Sequence, residues 1–418
     1  VELLVAIAIL GIMAGMALYS LAGAQTDARV ARTRGTISKL NEVILQRWEE
    51  FRYRPVDVKV PPAWKVAVRN SGNGRVALPY SPREKARVRM IMLRDMMRME
   101  LPDRVSDLLY GPTQYTMVPN TQGYTPAKLE RPIPTGWGTL YKALYNRVQA
   151  LKAQGHPNWT SLDLVDIDDP AQGWSGGSVA ATVNPTFLAS NGSLPEWHAA
   201  VQHSELLYLI VASSNYNGSS ALEYFRPSEV GDPDDDGLLE FVDAWGDSIV
   251  WIRWPAGFTS DLVRYADSDA MDPLRTDWRY RKEVGNYTVE EPWRPKTLVP
   301  LILSRGQDGQ LGIITDFPSP ITYAIMTWPG PRNGTPYGTS GGHYGAGPYY
   351  YPDPHFTWDY TNGTANGAAS ESPYPASNPL GFRANQLGSI PNFIDSAGTI
   401  RNEFATDNIT NHDIILEP

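Results

Sequence analysis

The sequence predicts an α+β fold: one long N-terminal α-helix, then a large globular head with inserted helices, a small antiparallel β-sheet and a loop-rich last part. Three observations predict it. An unbroken apolar run opens the 418-residue chain and passes into an amphipathic pattern. Strand-like apolar stretches lie at 238–254, 299–304 and 320–328. From about 329 to 395 glycine, proline, tyrosine and asparagine dominate and periodicity is lost. The segments are then a helix at 1–52, a helical insertion of the head at 53–231, a β core at 232–328, and a loop extension with a tail at 329–418.

Leu3 to Ala24 is 22 residues without a charge. At about 1.5 Å per residue that makes roughly 33 Å of helix, enough to cross a bilayer once. A secretory signal has a shorter apolar core, a basic flank before it and a small-residue cleavage site after it. Here the run passes straight into a charged helical segment, so it reads as a retained segment. Ile37, Leu40, Ile44, Trp48 and Phe51 then recur at spacings of three and four, with charged residues on the other faces. One helix is predicted to about Arg52, stopped by Pro55. At its head stands Glu2, a carboxylate that costs several kcal/mol in an apolar setting unless it is paired.

The chain has 36 basic against 45 acidic residues and no basic stripe, which argues against nucleic acid as its main ligand. It has no cysteine, so a secreted head must be held by packing or by metal. One metal motif is present, DPDDDGLLEFVD at 232–243. Acidic side chains fall at loop positions 1, 3, 5, 9 and 12 as Asp232, Asp234, Asp236, Glu240 and Asp243, with Gly237 at position 6 and the Leu238 carbonyl at position 7. This is the spacing of an EF-hand calcium loop. Ca²⁺ takes six to eight oxygens, and the glycine permits the sharp bend. Asp243 in place of a glutamate shortens the last ligand, and Pro227 and Gly231 argue against a helix before the loop, so an isolated loop is expected.

The run VELLVAIAILGIMAGMAL resembles the N-terminus of type IV pilins and type II secretion pseudopilins. Glu2 matches their glutamate, which the resemblance implies pairs with the N-terminal amine of a neighbouring subunit during assembly. One departure is that the family places a phenylalanine and a few more residues ahead of the glutamate, whereas this sequence opens at Val1. DAWGDSIVWIRW at 243–254 looks like the D-P-W-G-x-P-Y strand motif of major pseudopilin heads, with Ala244 at the proline. LSRGQDGQLG at 303–312 looks like their S-x-G-x-D-G-x-x-G segment, where Asp308 and Asp316 are candidates for further ligands or a second site, though each alone reads as a common turn residue. The resemblance implies a subunit that leaves the inner membrane, after cutting by a prepilin peptidase, to join copies of itself in a helical filament. Gly11 and Gly15 suit close helix packing.

Helices are predicted at about 82–100, 138–154 and 196–212. The methionines at 90, 92, 96, 97 and 99 read as core filler. Tyr344, Tyr349, Tyr350, Tyr351 and Trp358 read as packing of a decorated loop, or as platforms for sugars or neighbouring subunits. N-x-S/T sequons at Asn158, Asn191, Asn217, Asn286, Asn333, Asn362 and Asn408 are candidate glycosylation positions. Catalysis finds little support: the six histidines show no H-E-x-x-H, and no P-loop occurs. The alternatives to a filament subunit are a membrane-anchored adhesin or carbohydrate-binding protein, and a tethered enzyme.

Overall fold

The structure is a computed structural model and describes residues 2–56, 82–109, 135–156, 159, 164–169, 202–258, 260–263, 268–275, 296–313, 315 and 407–414, with Gly388 and short strand segments elsewhere. It begins with α1, Glu2–Tyr53, 52 residues of unbroken helix. That is about 78 Å at 1.5 Å per residue. The two halves of α1 meet different surroundings. Every large apolar side chain from Leu3 to Leu21 is exposed, from 52% at Val5 to 85% at Tyr19. Ile37, Leu40, Ile44, Trp48 and Phe51 are buried in the head core, as their spacing predicts. The helix is long and apolar enough to cross a membrane by length and composition.

The rear of α1 lies against a three-stranded antiparallel sheet of β3 (Val250–Ile252), β4 (Leu301–Ser304) and β5 (Ile409–Thr410), in the order β3-β4-β5. Trp251 pairs with Ile302 and Leu303 with Thr410. Every residue of β3 and β4 is buried, so these strands read as continuous apolar runs without alternation. α1 touches β4 and β5, while α5 (Gln202–Ala212) touches β3. A short last helix, α6 (Asn411–Ile414), docks on α1.

The inserted helices are α2 (Pro82–Glu100), α3 (Val105–Leu109) and α4 (Thr135–Ala153). Met90, Met92, Met97 and Met99 are buried, as core filler should be. The strand expected over 238–254 is interrupted. β2 (Glu240–Phe241) pairs back with β1 (Val230–Gly231), and the chain then reverses before β3. The reversal is closed by the Asp243 N–H donating to the Asp247 carbonyl at 2.9 Å, with Gly246 at φ +96° where a side chain would strain. Of the expected 320–328 strand, only Thr327–Trp328 is described, as a strand. Sequons at Asn158, Asn191, Asn286, Asn333 and Asn362 lie outside the described residues, as do Asp316 and the tyrosines at 344 and 349–351.

Where α2 runs into α3, six charged side chains are buried together: Asp95, Arg98, Asp103, Arg104, Asp107 and Arg253. Arg253 bridges Asp107 at 2.9 Å and Asp103 at 3.1 Å, and Arg98 pairs with Asp95 at 2.9 Å. Burial works to raise Asp103, but Arg253 and then Arg104 outweigh it and hold its pKa down at about 2. Burial pushes Asp107 up to about 6 against the pull of Arg253, and the neighbouring Asp103 charge adds to the rise.

Candidate metal centre

The acidic motif forms the loop of the β1–β2 hairpin, with Gly231 opposite Glu240 and Val230 opposite Phe241. Local hydrogen bonds bend it. The Asp232 carboxylate accepts the N–H of Asp236 at 3.1 Å and of Gly237 at 3.0 Å, and Asp236 Oδ1 accepts the N–H of Leu238 at 2.7 Å. Gly237 sits at φ +92°, and a Cβ there would come within 2.5 Å of Leu151 Cδ2 on α4, so both conformation and space demand glycine. The loop is held from outside as well. Trp159 Nε1 donates to the Asp236 carbonyl at 2.7 Å, and Arg147 Nε on α4 donates to the Gly237 carbonyl at 2.9 Å.

Two groups of carboxylates converge here, and Asp234 belongs to both. Asp232, Asp234 and Asp236 form one; Asp234, Glu240 and Glu205 form the other. In each group the ligand oxygens lie within 4.8 Å of one another. Glu205 comes from α5, where packing explains its arrival: Tyr208, three residues on, sets its ring 5.6 Å from Phe241, the neighbour of Glu240. Like charges this close repel by about 4 kcal/mol per pair at 4 Å and an effective dielectric near 20.

Glu240 carries the strongest signature. It is 0% exposed, and neither of its carboxylate oxygens has a hydrogen-bond partner among the described residues. Burial first, then the charges of Asp234, Asp232 and Asp236, push its pKa up to about 8. Burial, followed by Asp234 and Asp232, also raises Asp236. An all-oxygen set of this charge suits a hard divalent cation. Beside it, between α4, α5 and the loop, opens a cavity of about 270 Å³ walled by leucines, Arg147 and Glu205.

The expected ligand set meets the structure unevenly. Asp232, Asp234, Asp236 and Glu240 converge. The Leu238 side chain is buried in the core. Asp243 is engaged elsewhere. Its Oδ1 accepts the N–H groups of Trp245, Gly246 and Asp247 at 2.9, 3.0 and 3.0 Å, and its Oδ2 accepts Ser304 Oγ at 2.6 Å. The D-A-W-G turn uses that carboxylate as its cap. Asp308 likewise closes its own turn, accepting the Gln310 N–H at 2.8 Å.

Glu2 is the first described residue of α1, and the placement of its side chain lies outside what the structure describes. Asn217 is exposed at the tip of the hairpin of Asn215–Tyr216 and Ser219–Ser220, whereas Asn408 donates the Nδ2 a glycan would occupy to the Leu311 carbonyl at 2.6 Å. Glu205 escaped the sequence reading because it stands 27 positions before Asp232 in a helix otherwise legible as apolar. Its signal is an acid placed among QHSELLYLIVA, most of which is buried. Comparison with protein families, with curated proteins and with solved structures found no match.

Proposed function

We propose that this chain is a structural subunit of a type IV pilus-like filament of the cell envelope or cell surface, assembled through α1, with a calcium-stabilised head. The observation that carries the reading is the division of α1. Its front is apolar and exposed on every side, while its rear is locked into the head. Such a front needs an apolar surrounding, a membrane before assembly and the helices of neighbouring copies afterwards. Burying it releases about 25 cal/mol per Å² of apolar surface. Glu2 then sets register by pairing with a neighbour's amine, as in the pilins that the sequence resembles. The role is assembly, with no turnover of a substrate. Glu2→Ala tests it: filaments seen by negative-stain microscopy of native material should be lost while the chain stays in the membrane, and filaments indifferent to the change overturn the reading.

Calcium is the ion we assign to the hairpin, and the support for it is Glu240, a buried carboxylate whose charge lacks compensation while other carboxylate oxygens crowd it. A cation bound there would do what a disulfide does in other secreted heads. Thermal melting with and without a chelator tests this, and an unchanged transition sinks it.

A further inference from the structure

The carboxylates at the hairpin do not all come from the loop, and the loop's twelfth position does not contribute one. We propose that Glu205 of α5 closes the calcium site in the place of Asp243, so that the ion fastens the hairpin to α5 and, through α5, to α1; the inference rests on the calcium reading above. The geometry allows it. Two oxygens bound to one Ca²⁺ at up to 2.6 Å stand no more than about 5.2 Å apart, and the oxygens of Glu205, Asp234 and Glu240 meet within 4.8 Å. Glu240, fully buried and without a hydrogen-bond partner among the described residues, sits in that same group of three. Both oxygens of Asp243 are taken by three N–H groups and the Ser304 hydroxyl. A ligand from α5 also changes what the ion holds. A loop that supplies every ligand stiffens only itself, whereas this site joins two elements that the sequence separates.

The far end of α5 is tied to the long helix. Arg47 of α1 donates to Ser214 Oγ at 2.8 Å and to the Ile210 carbonyl at 3.4 Å. A cation at a helix C-terminus is favoured by the helix dipole, as an acid such as Glu205 is in the first turn. Calcium at one end and Arg47 at the other therefore fix α5 between the hairpin and α1.

The test uses the full chain in detergent micelles at neutral pH. Tb³⁺ is titrated in, with its emission excited through Trp159, whose indole N–H reaches the Asp236 carbonyl, and Ca²⁺ is then used to displace it. Glu205→Gln is expected to weaken Ca²⁺ by about tenfold or more, and Asp243→Asn, which keeps the turn's acceptor oxygen, to change it by less than about twofold. Amide hydrogen exchange gives the second readout: calcium should slow α5 in the native chain and leave it unchanged in Glu205→Gln. If Glu205→Gln does not fold with chelator present, Glu205→Asp replaces it with the same expected direction. Undiminished Ca²⁺ affinity in the Glu205 variant, or a loss in Asp243→Asn alone, overturns the assignment and leaves a loop site standing. Failure of the native chain to bind either ion overturns the calcium reading itself.

Discussion

Asn411 donates its Nδ2 to the Oδ1 of Asn41 at 2.8 Å, across 370 positions of sequence. The same amide nitrogen reaches the Pro300 carbonyl at 3.0 Å, and the Asn411 Oδ1 accepts the Ile302 N–H at 2.8 Å. One fully buried side chain thus joins α1, the approach to β4 and α6.

Asn411→Ala strands the Ile302 N–H and the Asn41 amide in a dry interior. Each such group costs roughly 1–3 kcal/mol. Urea unfolding of the head in detergent should show a loss in that range, larger than that of Asn41→Ala, which leaves Asn411 its two other partners. Equal losses in the two variants would contradict this account.

Gly237→Ala places a methyl group against Leu151 in a backbone conformation that disfavours it. A cost of about 1–3 kcal/mol is expected from strain and overpacking together. Ca²⁺ affinity, read by the Tb³⁺ displacement, should fall as well, because Asp232 accepts the N–H of the same residue.

Asp107 gives the buried ion cluster a pH dependence. Its pKa rises from 3.8 to about 6 on folding, so the folded state binds the proton more tightly, and the stability this supplies is lost as pH climbs from about 4 through 6. Asp103, held down at about 2, acts the other way: its contribution is lost as pH falls below about 4. In Asp107→Asn the decline between pH 4 and 6 should shrink while the acid limb persists. Melting temperature against pH in native and variant chains, in chelator, measures both limbs.

The division of α1 predicts contrasting substitutions. Trp48→Ala removes a 5% exposed indole from the core and should cost about 3–5 kcal/mol of head stability. Leu10→Ala, at a position 66% exposed, should leave head unfolding in detergent within about 0.5 kcal/mol. A comparable loss in both would mean that the front of α1 also packs on the head.

The long helix, α2 and α4 were legible because their patterns are periodic and local, and the α2 boundaries fall where Pro82 and Glu100 suggest. The hairpin loop was legible for the same reason, since four of its carboxylates follow an alternate spacing that a tight turn gathers. Two local motifs overlap on Asp243, a loop that ends there and a turn that starts there. Backbone N–H groups of the turn are nearer in sequence and take it. Glu205 and the six-charge cluster were out of reach for a different cause: Glu205 meets carboxylates of a separate hairpin and the cluster is completed by Arg253, just after β3, and no spacing encodes which elements pack together. Arg94, Asp95 and Arg98 of α2 are all buried, although charged side chains are ordinarily exposed.

Along the rear of α1 the head is fastened at successive levels: Arg32 to the Ser228 carbonyl, Lys39 to Glu229, Asn41 to Asn411 and Arg47 to Ser214. From the first anchor to the last is about 22 Å of helix. A tug directed along the helix axis therefore loads these links side by side, in shear, and does not peel them one after another. Fastening of this kind makes the head and α1 a single mechanical unit, with the rupture force set by the row of links acting together.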